Sequence, residues 1–202
     1  MGKGFDDFAE DDVVRGLLEG RPQAAEVLYA RIHPVIDRTV RRVLRARRPD
    51  HDDVVQSAFE HVVRSLTDRR FTASCSLSTW ASVIASRVAI DAMRRRMRER
   101  SVFREDAASA PEVPWPSDPI TLERRLEARS ELQRLAALLN AMKPEQSMTV
   151  VLHDLLGHQL ADIAEATGIS AAAAQSRLVR GRKELFRRRA ARASMESQPD
   201  DW

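Results

Sequence analysis

The stretch Gln159-Leu-Ala-Asp-Ile-Ala-Glu-Ala-Thr-Gly168-Ile-Ser-Ala-Ala-Ala-Ala-Gln-Ser-Arg177-Leu-Val-Arg-Gly-Arg-Lys183 constrains the fold more than any other part of the chain. It reads as helix, tight turn, helix. Ile163 and Ala164 fall where the first helix of such a pair is buried, and Gly168 falls where the turn needs a residue tolerant of positive φ. Ile169 plugs the gap between the two helices. Arg177, Arg180, Arg182 and Lys183 then place positive charge on the second helix. A helix charged in this way fits the DNA major groove, where arginine bonds the guanine edge and the phosphates. Gly181 inside that helix costs about 1 kcal/mol relative to alanine, and the helix is expected to loosen there.

A chain of 202 residues can bury one large core or two small ones. Only 7 glycines, against abundant Ala, Leu, Arg and Glu, disfavour a turn-rich β protein, so an all-α fold is expected. The net charge of +3 conceals its distribution. Asp6, Asp7, Glu10, Asp11, Asp12 and Glu19 make the N-terminal end acidic, whereas basic clusters lie at 38–48, 94–100 and 177–192. Such clusters mark phosphate-facing surfaces or, equally, solvated helix faces. Cys75 is the only cysteine, so neither an internal disulfide nor a thiolate zinc site can form. No apolar run approaches the roughly 20 residues that span a bilayer. The opening Met1-Gly-Lys-Gly-Phe-Asp-Asp lacks the apolar core of a signal peptide, and a cytoplasmic protein without membrane insertion is expected.

Helical periodicity divides the chain. Val13, Val14, Leu17 and Leu18 form one stripe that stops at Gly20-Arg-Pro22. A second helix starts near Gln23 and runs through Leu28, Ile32, Ile36, Val40 and Leu44, with Pro34 inside it. Asp50 or Asp52 can cap a third, which carries Val54, Val55, Ala58, Phe59, Val62, Val63 and Leu66. Residues 67–78 read as a polar loop, and the helix from Thr79 turns from apolar to strongly basic at Arg94, Arg95 and Arg96. Between about 104 and 119, Pro111, Pro114, Pro116 and Pro119 forbid a helix, while Glu105, Asp106, Glu112 and Asp118 make the stretch acidic. Leu126 to Leu139 and Met148 to Leu156 complete a second helical block before the opening motif. The plan is two small helical domains, 1–100 and 121–190, joined by a Pro-rich acidic linker at 101–120 and followed by a disordered tail at 191–202.

These blocks carry a family resemblance. Asp50-His-Asp-Asp-Val-Val-Gln-Ser-Ala-Phe59 is similar to the acidic-pair, valine, glutamine, phenylalanine signature of bacterial RNA polymerase sigma factors. Ser78-Thr-Trp80 with Arg87-Val-Ala-Ile-Asp91-Ala-Met-Arg-Arg-Arg96 resembles the tryptophan-to-arginine helix that follows it in that family. Lys143-Pro-Glu-Gln and Leu152-His-Asp-Leu-Leu-Gly157 precede the helix-turn-helix as in the two-domain extracytoplasmic-function (ECF) group. The resemblance covers about residues 20–100 and 121–190, in the family's order.

It implies sigma domain two followed by sigma domain four, with partners in RNA polymerase core and promoter DNA. Asp53, Gln56, Ser57, Glu60 and Arg64 would face the coiled coil of the largest polymerase subunit, and the C-terminal domain the flap of the second-largest. Ser57 stands where relatives usually carry glutamate. Ser76, Ser78, Thr79, Trp80, Arg87, Arg94 and Arg95 would hold the melted −10 element, which needs cations for phosphates and a pocket for a flipped base. Relatives commonly have arginine near Val83 and an Arg-Asn pair at Ser86-Arg87. Ala173, Gln175, Ser176, Arg177, Arg180, Arg182 and Lys183 would read the −35 element, with Ala173 and Gln175 replacing a usual threonine and lysine. The linker would thread polymerase channels that otherwise hold nucleic acid, or serve as a plain tether. An anti-sigma partner is implied by the resemblance alone.

Enzymatic readings fare worse. Asp52 and Asp53 are adjacent and point apart on a helix, a poor acid–base pair. His153 and His158 do not share a helical face at metal-ligand spacing, and no third ligand stands out. No catalytic residue, metal or cofactor is expected. The alternatives are a helix-turn-helix regulator that is not a polymerase subunit and, further off, a DNA recombinase, which would need an N-terminal α/β domain.

Overall fold

A computed structural model describes residues 9–44, 49–102 and 119–196. Among them the regular elements are helices: α1 (Glu10–Leu18), α2 (Pro22–Leu44), α3 (His51–Thr67), α4 (Leu77–Val102), α5 (Pro119–Ala141), α6 (Pro144–Val150), a π turn (Val151–Leu155), α7 (Leu160–Thr167) and α8 (Ala171–Glu196). The expected all-α fold is present. Asp6 and Asp7, the arginines at 45, 47 and 48, the acidic residues of the linker and the last six residues lie outside the described residues.

α1 to α4 form an N-terminal bundle whose core repeats at helical spacing. Val27, Leu28, Ile32, Ile36 and Val40 of α2 meet Val54, Val55, Ala58, Val62 and Leu66 of α3. Pro34 points to solvent and α2 continues through it to Leu44. α4 enters with a run of small side chains, Ala81, Ala85 and Ala89, each fully buried. Alanine at every fourth position lets the backbones of α2 and α3 approach closely. Asp50 sits at the N-cap of α3, as expected, but makes no side-chain cap. Its carboxylate pairs with Arg96 and ties the end of α4 to the start of α3. At the other end of α4, Glu10 accepts the Leu77 N–H at 2.8 Å, so α1 caps a helix far along the chain.

The C-terminal block differs from expectation in three places. The helix expected over 148–156 starts at Pro144, with proline at its first turn, and widens into a π turn at Val151, where the Leu156 N–H bonds the Val151 carbonyl at 3.0 Å. The tail expected from 191 is helical to Glu196, because α8 is one continuous helix of 26 residues. Nor does α8 loosen at Gly181. That glycine is buried against α6, where an added Cβ would stand 2.7 Å from Val150 Cγ2 and 3.0 Å from the Gln146 carbonyl oxygen. The missing side chain sets how closely α6 and α8 approach.

The two blocks are packed together. Val151 belongs to the N-terminal core, with Leu139, Met148, Leu155 and Leu156 against it. A second cluster joins Val83 of α4 to Leu152, Ile163 and Ala166. Among the described residues no helix is long and apolar enough to cross a membrane.

Replacing Gly181 with alanine sets a propensity gain of about 1 kcal/mol against an overpacking cost of roughly 1–3 kcal/mol. The Gln146 carbonyl is backbone and cannot rotate away, so a net loss of about 1 kcal/mol is expected in denaturant unfolding. A variant at least as stable as the parent would contradict this packing.

Candidate nucleic-acid interface

α7, its turn and α8 form the helix-turn-helix that the sequence announces. Ile163 and Ala164 are buried, and Gly168 ends α7 in the left-handed region at φ 67°. The Ile169 N–H returns to the Ala164 carbonyl at 3.0 Å. Ser170 accepts the Ala173 N–H through its hydroxyl at 3.2 Å, capping α8. Ala174, Leu178 and Gly181 bury one face of α8. Gln175, Arg180, Arg182 and Lys183 are exposed, while Ala173, Ser176 and Arg177 are partly so. Arg177, Arg180 and Lys183 make no ion pair among the described residues. Arg182 does, with Asp154. Further along, Glu184 pairs with Arg187 and Arg188, which hold its carboxyl at about 2.

On α3 the expected polar face is formed. Asp53, Gln56, Glu60 and Arg64 are all exposed, and Ser57 is half-buried with its carbonyl oxygen 2.8 Å from His61 Nδ1. The Gln56 amide donates to Glu60 at 3.0 Å. Phe59 reaches the core less fully than its neighbours and meets Tyr29 edge-on at 5.2 Å between ring centres. At the first position of this helix His51 is 1% exposed, with Nε2 2.8 Å from Asp37. That bond, helped by Arg41, holds the Asp37 carboxyl below its usual range.

The loop before α4 places Arg69 and Ala73 at φ 56° and 54°, a region that side chains other than glycine rarely enter. Ser76 closes it, its hydroxyl accepting the Thr79 N–H at 3.1 Å and meeting the Thr79 hydroxyl at 3.0 Å. Trp80 is partly buried. Its indole N–H bonds Ser65 Oγ at 3.0 Å and its ring meets Phe71 edge-on. Cys75 is partly buried beside it, and burial pushes its thiol up.

α4 does not present its expected cations as one surface. Arg87 and Arg95 are exposed, but Arg94 donates to Ser147 Oγ of α6 at 3.1 Å with its side chain only 15% exposed. Arg96 is committed to Asp50. The C-terminal block covers this side of α4. Ser82, 3% exposed, lies 2.8 Å from His158 Nε2 and 3.2 Å from the Thr39 hydroxyl. Val83 is 9% exposed in the shared apolar cluster, and Ser86 is fully buried, donating back to the Ser82 carbonyl at 2.8 Å. Val83, which departs from the family pattern, is thus an interface residue, whereas Ser86 bonds within its own helix. An arginine at 83 would bring an unpaired charge among Leu152, Ile163 and Ala166, at high desolvation cost. The sequence held no periodic signal for the Ser82–His158 contact, because its partners are 76 residues apart.

Comparison with known proteins fits this geometry. Residues 28–99 match the model of Sigma-70 region 2, and residues 132–185 that of Sigma-70, region 4. RNA polymerase sigma factor NccH of Alcaligenes xylosoxydans xylosoxydans is 30% identical over 67% of this chain and 71% of its own length. ECF RNA polymerase sigma factor SigG of Mycobacterium tuberculosis is 30% identical over 75% of this chain, which covers 45% of that relative. The solved structure of CnrH, in complex with the cytosolic domain of CnrY, aligns with a TM-score of 0.52 over 91% of this chain and 99% of that one, at 23% identity, and so shares the fold. Two sigma-70 regions in order, on an all-helical scaffold with a helix-turn-helix, define a promoter-specificity subunit of bacterial polymerase. The chain belongs to the RNA polymerase sigma factors of the sigma-70 type.

The contact between the blocks has a pH sign. Burial lowers the His158 pKa, with the Asp162 carboxylate partly opposing it. Closure therefore releases a proton. It is fully favoured above the ordinary histidine value of about 6.5 and weakens as the pH falls below it. Small-angle scattering is expected to show expansion of the chain on acidification through that range. His158→Gln, which keeps a hydrogen-bonding side chain without the charge change, should remove that step.

Proposed function

We propose that this chain binds RNA polymerase core reversibly, directs it to a promoter with −10 and −35 elements, and aids opening of the duplex. Residues 1–100 would bind core and the −10 element, and residues 121–190 the −35 element. The observation that carries the reading is the pair of solvent-facing surfaces: the Asp53, Gln56, Glu60 and Arg64 face of α3, and Arg177, Arg180 and Lys183 of α8, which have no ion pair among the described residues. On α8, Gln175 suits bidentate bonding to adenine and Ala173 contact with a thymine methyl. Ser76, Ser78, Thr79 and Trp80 at the start of α4, with Arg87, Arg94 and Arg95 along it, would receive the −10 strand.

The two elements stand about 25 base pairs apart, on the order of 80 Å of B-DNA at about 3.4 Å per pair. Blocks that share a core cannot grip both at once. The closed arrangement, with Arg94 on Ser147 and His158 on Ser82, is therefore a resting form that core binding must open. CnrH is solved with the cytosolic domain of CnrY. An anti-sigma partner would act on this chain by favouring one arrangement over the other. The chain spans about half the length of SigG.

Transcription with purified core polymerase on genomic fragments tests the reading. Specific initiation that depends on this chain is expected, and absence of both core binding and specific transcripts refutes it. Arg177→Ala should weaken −35 discrimination by about 1–3 kcal/mol, if the contact is bidentate to a base. Unchanged selectivity would remove Arg177 from the contact set.

A further inference from the structure

Arg182, unlike Arg177, Arg180 and Lys183, is held by a carboxylate, and one that comes from another element. Its Nε donates to Asp154 Oδ2 at 3.0 Å and its Nη2 to Asp154 Oδ1, a two-pronged fork, while Nη2 also lies 3.4 Å from His153 Nδ1. His153 Nδ1 in turn is 2.8 Å from Asp154 Oδ1. The Arg182 guanidinium, and then His153, hold the Asp154 carboxyl below its usual range, although burial opposes this. Asp154 is therefore an anion wherever DNA binding is measured.

Both partners of Arg182 come from the π turn. One residue more per turn rotates the following side chains by roughly 100° relative to a continuous α-helix. His153 and Asp154 lie inside that turn and reach Arg182 of α8. The pair is not deeply buried: the side chains of Asp154 and Arg182 are 34% and 45% exposed. So open an ion pair adds little to folding stability. Its larger consequence is for the availability of Arg182, because a carboxylate presents the same two-oxygen edge to guanidinium as a phosphate does.

We propose that Asp154 is a positioning residue for DNA recognition: it occupies Arg182 until a duplex replaces both bonds of the fork. A loosely placed phosphate offers one bond and loses the competition. A correctly seated site, through a phosphate edge or the O6 and N7 of guanine, offers two. Asp154 thereby lowers binding to unrelated sequence more than binding to the promoter. The proposal rests on reading α8 as the promoter-contacting helix.

The test uses holoenzyme assembled from core polymerase and the full chain. Binding is measured to a fragment selected by the parent holoenzyme and to unrelated duplex, across a salt series. Asp154→Ala should raise affinity for unrelated duplex several-fold, lower the specificity ratio, and steepen the slope of log K against log salt by about 0.9, the value for one added phosphate contact. Asp154→Asn, which keeps one acceptor, should fall between. In an Arg182→Ala background neither change should appear. An equal gain in that background would make Asp154 a bulk charge and overturn the proposal. So would lower affinity for both DNAs with an unchanged slope, the signature of a structural role. Parent holoenzyme that starts no specific transcript would instead overturn the promoter reading, and this proposal with it.

Discussion

One helix, α4, has to satisfy two neighbours, and the rest of the architecture follows from how it does so. Its Ala81, Ala85 and Ala89 stripe lies in the N-terminal core, where only small side chains permit α2 and α3 to close on it. Its other flank, Ser82, Val83 and Arg94, is covered by α6, the π turn and α7. The Ser82 hydroxyl, itself bonded to that of Thr39, gives the half-buried His158 a polar partner beside the apolar contact. The apolar part of that contact joins Val83 to Leu152, Ile163 and Ala166, and sets Val151, with Leu139, Met148, Leu155 and Leu156, against the N-terminal core.

Charge in this chain is governed by the same competition. Arginines are abundant, but many are already engaged: Arg96 by Asp50, Arg94 by Ser147, Arg182 by Asp154, Arg187 and Arg188 by Glu184. Engagement does not make an arginine irrelevant to DNA. It sets what a phosphate must offer before the side chain changes partners. Arg177, Arg180 and Lys183 of α8 have no ion pair among the described residues, and a duplex meets them at no such cost.

Much of this was legible in order along the chain. Gly168 announced a left-handed turn because no other residue enters that region so cheaply, and the turn stands where it was expected. The stripes of α2 and α3 announced their buried faces because a 3.6-residue period leaves few alternatives. Gly181 was misleading. Judged on helix propensity it weakened α8, whereas its neighbours Val150 and Gln146 make it the residue that allows close packing. The π turn was illegible, since one extra residue in a turn leaves no mark on a short apolar run. The fork between Asp154 and Arg182 was hidden for the same reason, as it depends on that turn.

The sequence by itself determined the helical class, the helix-turn-helix, the order of the two sigma regions and the polar face of α3. All of these rest on local periodicity, turn chemistry or motif order, which act within a few residues. Only the tertiary structure decided which cations are already paired, why valine stands at 83, and that the two blocks share a core. Those outcomes join residues dozens of positions apart, such as Ser82 with His158 and Arg94 with Ser147. Spacing along the chain carries no record of such contacts, because they depend on the path by which packed helices return to one another.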